Sequence, residues 1–201
     1  MHIRLMTPVG TSVLVIDQDA SRARATRHLL IEQGYAVTDV VSDLNALERA
    51  LGETAADTIL IYATKPDASL LDTLRRVPVE RRRPTVLITE DGASESIYAA
   101  VDAGVNACVV VGVNGNRVRS AIDLAKANFT NTRGLREELD EARNALRERK
   151  LIERAKGIIM RERGLDEEAA FQLLRKRAMQ RGVRLVAVAE MVNEAAEVMQ
   201  L

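Results

Sequence analysis

Residues 147–184 carry 12 basic and 6 acidic side chains, a net charge of +6. That block could dock a polyanion, and phosphate contacts are the chemistry its side chains offer. A solvated helical surface would show the same residue types, because Arg and Glu favour helices. The rest of the chain offsets the block: residues 1–132 sum to −2, residues 133–146 to −1 and residues 185–201 to −3, so the 201 residues are neutral overall. A uniformly basic nucleic-acid binder is therefore excluded, but a locally basic one is not. Aromatic residues are only 2% with no Trp, which disfavours a sheet that reads single strands by base stacking. Cys108 is the single cysteine, so no internal disulfide forms, and no Cys/His cluster suggests zinc. No cofactor or metal is expected. No apolar run approaches the ~20 residues of a membrane span. The opening MHIRLMTPVG lacks the apolar core of a signal peptide. The expectation is a soluble cytoplasmic protein of one or two domains that makes no membrane contact.

The first half must position any site through alternating strands and helices. Strands are predicted at Ser12–Asp17, Tyr35–Val41, Thr58–Ala63, Thr85–Thr89 and Ala107–Val111. Helices are predicted at Ala20–Gln33, Leu44–Leu51, Leu70–Val77 and Ser94–Ala103, with another starting over Arg117–Phe129. Gly34 and Gly104 stop two of them as C′ glycines do. In the first helix Ala23, Leu29 and Leu30 share a buried stripe, leaving Arg22, Arg24 and Arg27 to solvent. Near-continuous apolar strands alternating with amphipathic helices imply a five-stranded, doubly wound parallel sheet. Ligand sites in that architecture lie at the carboxyl ends of strands: here Asp17-Gln18-Asp19, Tyr62-Ala63, Thr89-Glu90 and Val111-Gly112.

At those ends the chain resembles a response-regulator receiver domain, with the flavodoxin-like fold that implies, over roughly residues 12–127. The resemblance implies an acidic pair that holds Mg²⁺, a phosphate-accepting Asp, a Ser or Thr, and a Lys. In this sequence the acidic pair is reduced to Asp17-Gln18, with Asp19 one step further on; Tyr62 stands at the acceptor position and Val111 at the lysine position, and Thr89 alone matches outright. Tyrosine cannot form an acyl phosphate and valine cannot pair with phosphate. The expectation is a pseudo-receiver with a degenerate phosphorylation pocket and no catalytic residues, hence not an enzyme. Asp57 and Asp67 are the alternative acceptors, and both are poorly placed in sequence.

Leu135, Leu139, Ala142 and Leu146 are spaced 4, 3, 4, a heptad seam of about two heptads that ends on Arg149. A helical coiled-coil connector is expected, with Gly134 as a weak point or kink and self-association through the seam. Three helices follow. The first carries Leu151, Ile152, Ala155, Ile158 and Ile159 and ends near Arg163 before Gly164. Asp166 caps the second, which turns Ala170, Phe171, Leu174 and Ala178 inward and ends at Gly182. Leu185, Val188, Ala189, Val192, Ala196 and Met199 mark the third.

The run IERAKGIIM at 152–160, with Gly164-Leu165, Glu168-Ala169, Leu173-Leu174-Arg175, Ala178-Met179 and Val188-Ala189 in register, resembles an ANTAR domain. Together with the receiver-like half, the chain looks like the NasT/AmiR type of transcription antiterminator, closer to NasT. The domains expected are 1–127 pseudo-receiver, 128–150 connector and 151–201 ANTAR unit, an α/β fold followed by an all-α unit. The resemblance implies binding to paired hairpins in a leader mRNA, which prevents termination and acts on RNA polymerase only indirectly. It implies a homodimer held inactive by a solute-binding-protein-like sensor of the NasS type, in nitrate or nitrite assimilation.

The RNA-binding candidates are Arg154, Lys156, Gly157, Arg161, Arg163, Arg175, Lys176, Arg181 and Arg184. Gly157 costs ~1 kcal/mol against Ala in a helix interior unless something approaches closely, either a neighbouring helix or RNA backbone. The alternatives are an amide-responsive AmiR-like regulator, a DNA-binding response regulator built on a helix-turn-helix, and a phosphotransfer protein.

Overall fold

The computed structural model describes residues 10–41, 49–50, 53, 55–110 and 115–199. The expected helix at 44–51 lies outside the described residues except for Arg49 and Ala50, and Val111 lies outside them too.

The chain divides into two compact units, 1–133 and 134–201. In the first, β1 (Ser12–Asp17), β2 (Ala36–Val41), β3 (Thr58–Ala63), β4 (Thr85–Thr89) and β5 (Ala107–Val110) form one sheet in the order β2-β1-β3-β4-β5. All four neighbouring pairs are parallel. The order reverses direction at β1 and β3, where Asp17 stands in register with Tyr62. That reversal opens the crevice in which doubly wound sheets bind ligands.

Strand residues alternate between two cores because successive side chains point to opposite faces. Leu14, Ile16, Ile59, Ile61 and Leu87 pack against Leu70, Leu71 and Leu74 of α2 (Ala68–Arg76) and Ala100 of α3 (Ser94–Asp102). Val13, Val15, Leu60, Val86 and Ile88 pack on the other face, against Leu30 of α1 (Ala20–Glu32) and Val118, Ile122 and Ala125 of α4 (Gly115–Arg163). Both faces are covered, which explains why the strands read as unbroken apolar runs. Gly34 and Gly104 have φ of 85° and 104°, the left-handed conformation that ends a helix at little cost only in glycine.

The predicted last receiver helix, connector and first C-terminal helix are one helix. α4 runs for 49 residues from Gly115 to Arg163 and passes through Gly134 without a break. No proline falls in this stretch, so nothing forbids continuity. Leu135, Leu139 and Leu146 are 67%, 48% and 55% exposed in the single chain.

In the second unit the C-terminal part of α4 packs with α5 (Glu167–Arg181) and α6 (Leu185–Met199). The core is Ala155, Ile159, Ala170, Leu174, Ala178, Val188 and Ala189. Four of these seven are alanines, so the three backbones come close. Phe171 is only half-buried and stands outside that core. Asp166 caps α5 by accepting from the Ala169 N–H at 2.7 Å, and Asn193 ties α6 to α4 by donating to the Leu151 carbonyl at 3.0 Å.

Candidate functional site

At the strand ends of the first unit, Asp17 is 1% exposed. Arg22, on the first turn of α1, meets it at two points: Nε lies 2.8 Å from Oδ2 and Nη2 2.8 Å from Oδ1. Arg22, expected to face solvent, is instead two-thirds covered and paired with Asp17. The cause is local. Asp19 caps α1 by accepting from the Ser21 and Arg22 N–H groups at 2.8 and 3.0 Å, which starts the helix close to the strand end and turns position 22 back over it. Those backbone donors hold the Asp19 carboxyl below the usual range. The Asp17 carboxylate raises the Arg22 pKa further above an already high value.

The Arg22 guanidinium also lies 3.6 Å from the centroid of the Tyr62 ring, a cation–π stack. Tyr62 donates from its hydroxyl to Glu90 Oε1 at 2.8 Å. Burial, then the Glu90 carboxylate, push the Tyr62 phenol above its ordinary pKa. Thr89 donates to the Thr64 carbonyl at 3.1 Å and accepts from the Asp91 N–H at 3.1 Å, so its hydroxyl is engaged within the chain.

Asp17, Asp19, Tyr62 and Thr89 stand at the carboxyl ends of β1, β3 and β4 or just past them. A cavity of about 130 Å³ beside them is lined by Gln18, Arg22, Tyr62 and Lys65 among others. Two of its polar side chains are already engaged, Arg22 with Asp17 and Tyr62 with Glu90. The guanidinium saturates the buried carboxylate that a cation would need, and the acceptor position holds a stacked phenol. Asp67 caps α2 at the Leu70 N–H, 2.8 Å away, and Asp57 accepts from the Ser12 backbone and hydroxyl, each at 2.8 Å, so both alternative acceptors have structural work. Among the described residues, no group of three or more His, Cys, Asp and Glu converges as a metal site would.

The basic block of the second unit sorts by partner. Lys156 is 7% exposed, with Nζ 2.7 Å from Glu167 Oε1 and 2.9 Å from Glu153 Oε2. Those carboxylates, Glu167 first, raise the lysine pKa, and Lys156 lowers that of Glu167. This side chain clamps the start of α5 to α4. Glu153 was legible as an i−3 neighbour on the same helix; Glu167 comes from across the turn.

Arg154 pairs with Glu197 at 2.9 Å, Arg184 with the half-buried Glu148 at 2.6 Å and Arg161 with Glu162 at 3.7 Å; the three arginines are largely exposed. Arg181 points an Nη at the Met191 sulfur, 3.0 Å away. Arg163, Arg175 and Lys176 are exposed and have no acidic partner among the described residues. Arg175 and Lys176 lie one turn before Met179, which is 73% exposed. Gly157 is exposed, and a Cβ built on it would meet no heavy atom within 4 Å. Packing against another helix of this chain is therefore not why position 157 is glycine.

Residues 140–192 match the model of the ANTAR domain. The chain is 27% identical to the transcriptional regulatory protein PdtaR of Mycobacterium tuberculosis over 186 residues, 92% of this chain and 91% of that protein. A 52-residue stretch is 48% identical to the nitrate regulatory protein of Klebsiella oxytoca, covering 26% of this chain and 13% of that protein. Among solved structures, the signal receiver domain of a modulated diguanylate cyclase from Desulfovibrio desulfuricans G20 matches with a TM-score of 0.51 at 19% identity, covering 59% of this chain and 95% of that one. The likeness is to ANTAR regulators broadly and does not single out NasT. The chain joins a five-stranded parallel receiver-like fold to a C-terminal three-helix ANTAR unit.

Proposed function

We propose that this protein is an RNA-binding antitermination regulator that grips paired hairpins in a leader transcript and is controlled without phosphorylation. The observation that carries the reading is a coincidence of place. The ANTAR match at 140–192 overlies the one strongly positive block of the chain, at 147–184. Cations such as Arg163, Arg175 and Lys176 stand exposed there for phosphate. Holding the hairpins competes with folding of a terminator, so polymerase is affected only through its transcript. The leucine seam at 135–146, exposed in one chain, serves to pair two copies, one hairpin to each.

Control by a bound protein follows from the strand-end pocket, where Arg22 holds Asp17 and Tyr62 replaces the acceptor carboxylate. A solute-binding-protein-like sensor that masks the RNA surface until its nutrient arrives fits this need. The 52-residue likeness to a nitrate regulatory protein supports nitrate or nitrite as that nutrient, with an amide as the alternative.

In vitro transcription through a leader bearing two hairpins and a terminator tests the reading. Adding the unphosphorylated protein raises readthrough; a terminator that stops polymerase equally well with and without it removes the proposal.

A further inference from the structure

Position 157 breaks a local rule with no return inside the chain. Glycine in a helix interior destabilises the helix relative to alanine. Gly157 sits within α4, its φ is not positive, and the space a methyl group would fill is empty. No turn, bend or tight packing of this chain asks for it. Its gain must come from something outside that approaches the bare backbone.

Charge identifies the visitor. Arg154 lies one turn before Gly157 and Arg161 one turn after, so both flank it on the same face. Glu153, the acid closest in sequence on that face, is engaged by Lys156 at 2.9 Å. Arg154 is held by Glu197 through a pair whose side chains are 55% and 59% exposed, and Arg161 by Glu162 through a pair 63% exposed on both sides. Such surface pairs are easily exchanged, so a phosphate can take the place of Glu197. A second α4 laid symmetrically along this face would set Arg154 and Arg161 of one copy against those of the other, an unfavourable meeting of like charges. A phosphate strand neutralises them instead. Gly134 is equally open, but Glu137 and Glu138 follow it one turn on and its surroundings at 133–146 are net negative.

We propose that the exposed backbone of α4 at Gly157, between Arg154 and Arg161, is the seat for a sugar-phosphate strand of a bound RNA hairpin. This rests on the RNA-binding reading above and adds where the closest approach occurs. The glycine lets the strand lie against the helix, and the two arginines reach around it.

The test uses the full chain and an RNA probe selected by the wild-type protein from a pool of two-hairpin RNAs with randomised loops. Gly157→Ala raises the melting temperature by about 2–4 °C, because the helix gains and nothing clashes. It also weakens probe binding about tenfold, as expected if a methyl group holds the strand off the backbone and at least one phosphate contact is lost. Gly157→Leu weakens binding further. Arg154→Ala with Arg161→Ala lowers the salt slope by up to about 2. Stabilisation with loss of binding is a pair of opposite signs that a merely structural glycine does not give. Gly157→Ala that binds the probe as tightly as wild type overturns the inference and leaves the function standing. So does a Gly157→Ala variant whose self-association changes in sedimentation velocity while RNA affinity holds. A pool that yields no binder removes the functional reading, and this seat with it.

Discussion

Arg22 and Asp17 form a two-point ion pair, with both N···O distances 2.8 Å and the carboxylate 1% exposed. The positive charge at this strand end is part of the chain. A buried carboxylate requires a compensating charge or a set of hydrogen bonds. Here the guanidinium supplies it, helped by the Asp19 N–H at 2.9 Å.

Removing that charge leaves Asp17 uncompensated. Arg22→Ala is expected to cost about 2–4 kcal/mol, somewhat under the ~3–5 typical of a fully buried pair because the arginine is one-third exposed. Urea unfolding followed by circular dichroism measures it. A loss below ~0.5 kcal/mol would mean that the pair contributes little and that water reaches Asp17.

The same pocket governs phosphotransfer. Incubation with acetyl phosphate and Mg²⁺ should leave the protein unmodified, since Tyr62 offers no carboxylate and Arg22 already occupies Asp17. Intact-mass spectrometry reads the result, and a stoichiometric, base-labile phosphate on any aspartate would sink the pseudo-receiver account.

Lys156 and Glu167 make the fold of the second unit depend on pH at both ends. The Glu167 pKa is lowered from 4.5 by Lys156, so its contribution is present above that value and is lost as pH falls through the folded pKa. The Lys156 pKa is raised from 10.5, so its contribution is complete below that value and is lost as pH rises through the folded pKa. Lys156→Met should therefore reduce stability by a constant amount between about pH 6 and 9, and by progressively less below 4.5. A difference from wild type as large at pH 3 as at pH 7 would show that packing of the lysine stem matters and the charge does not.

Leu139 and Leu146 lie seven residues apart on α4, 48% and 55% exposed. Leu139→Asn with Leu146→Asn should weaken self-association in sedimentation velocity with little change in melting temperature at low concentration, because both side chains are about half-exposed and outside the apolar core of the second unit. A double variant that sediments like wild type would move self-association to another surface.

Much of this fold was legible in the residues. SVLVID, TILIYA and TVLIT read as strands buried on both faces, and Gly34, Gly104 and Gly182 mark helix ends where the backbone turns left-handed. The three helices expected between Arg117 and Arg163 are one, since no proline interrupts the stretch. The candidate sites were less legible. Tyr62 announced the lost acceptor, but Arg22 was hidden because its partner sits five residues back across a strand-to-helix turn, a separation no helical period describes. Lys156 read as a surface cation, since Glu167 reaches it only after the chain has turned at Gly164, where φ is 62°. Exposure of Gly157 could not be read at all, because it depends on how α5 and α6 pack around α4.

The central claim is that the unphosphorylated chain recognises hairpin RNA. Filter binding of the full-length protein, with no phosphate donor present, to a two-hairpin leader RNA and to duplex DNA of the same sequence tests it at one fixed salt concentration. RNA should bind at least about 100-fold more tightly, a modest specificity ratio for a nucleic-acid regulator, and acetyl phosphate should not alter the result. Equal or tighter binding to the duplex, or RNA binding that appears only after a phosphate donor is added, would contradict the account.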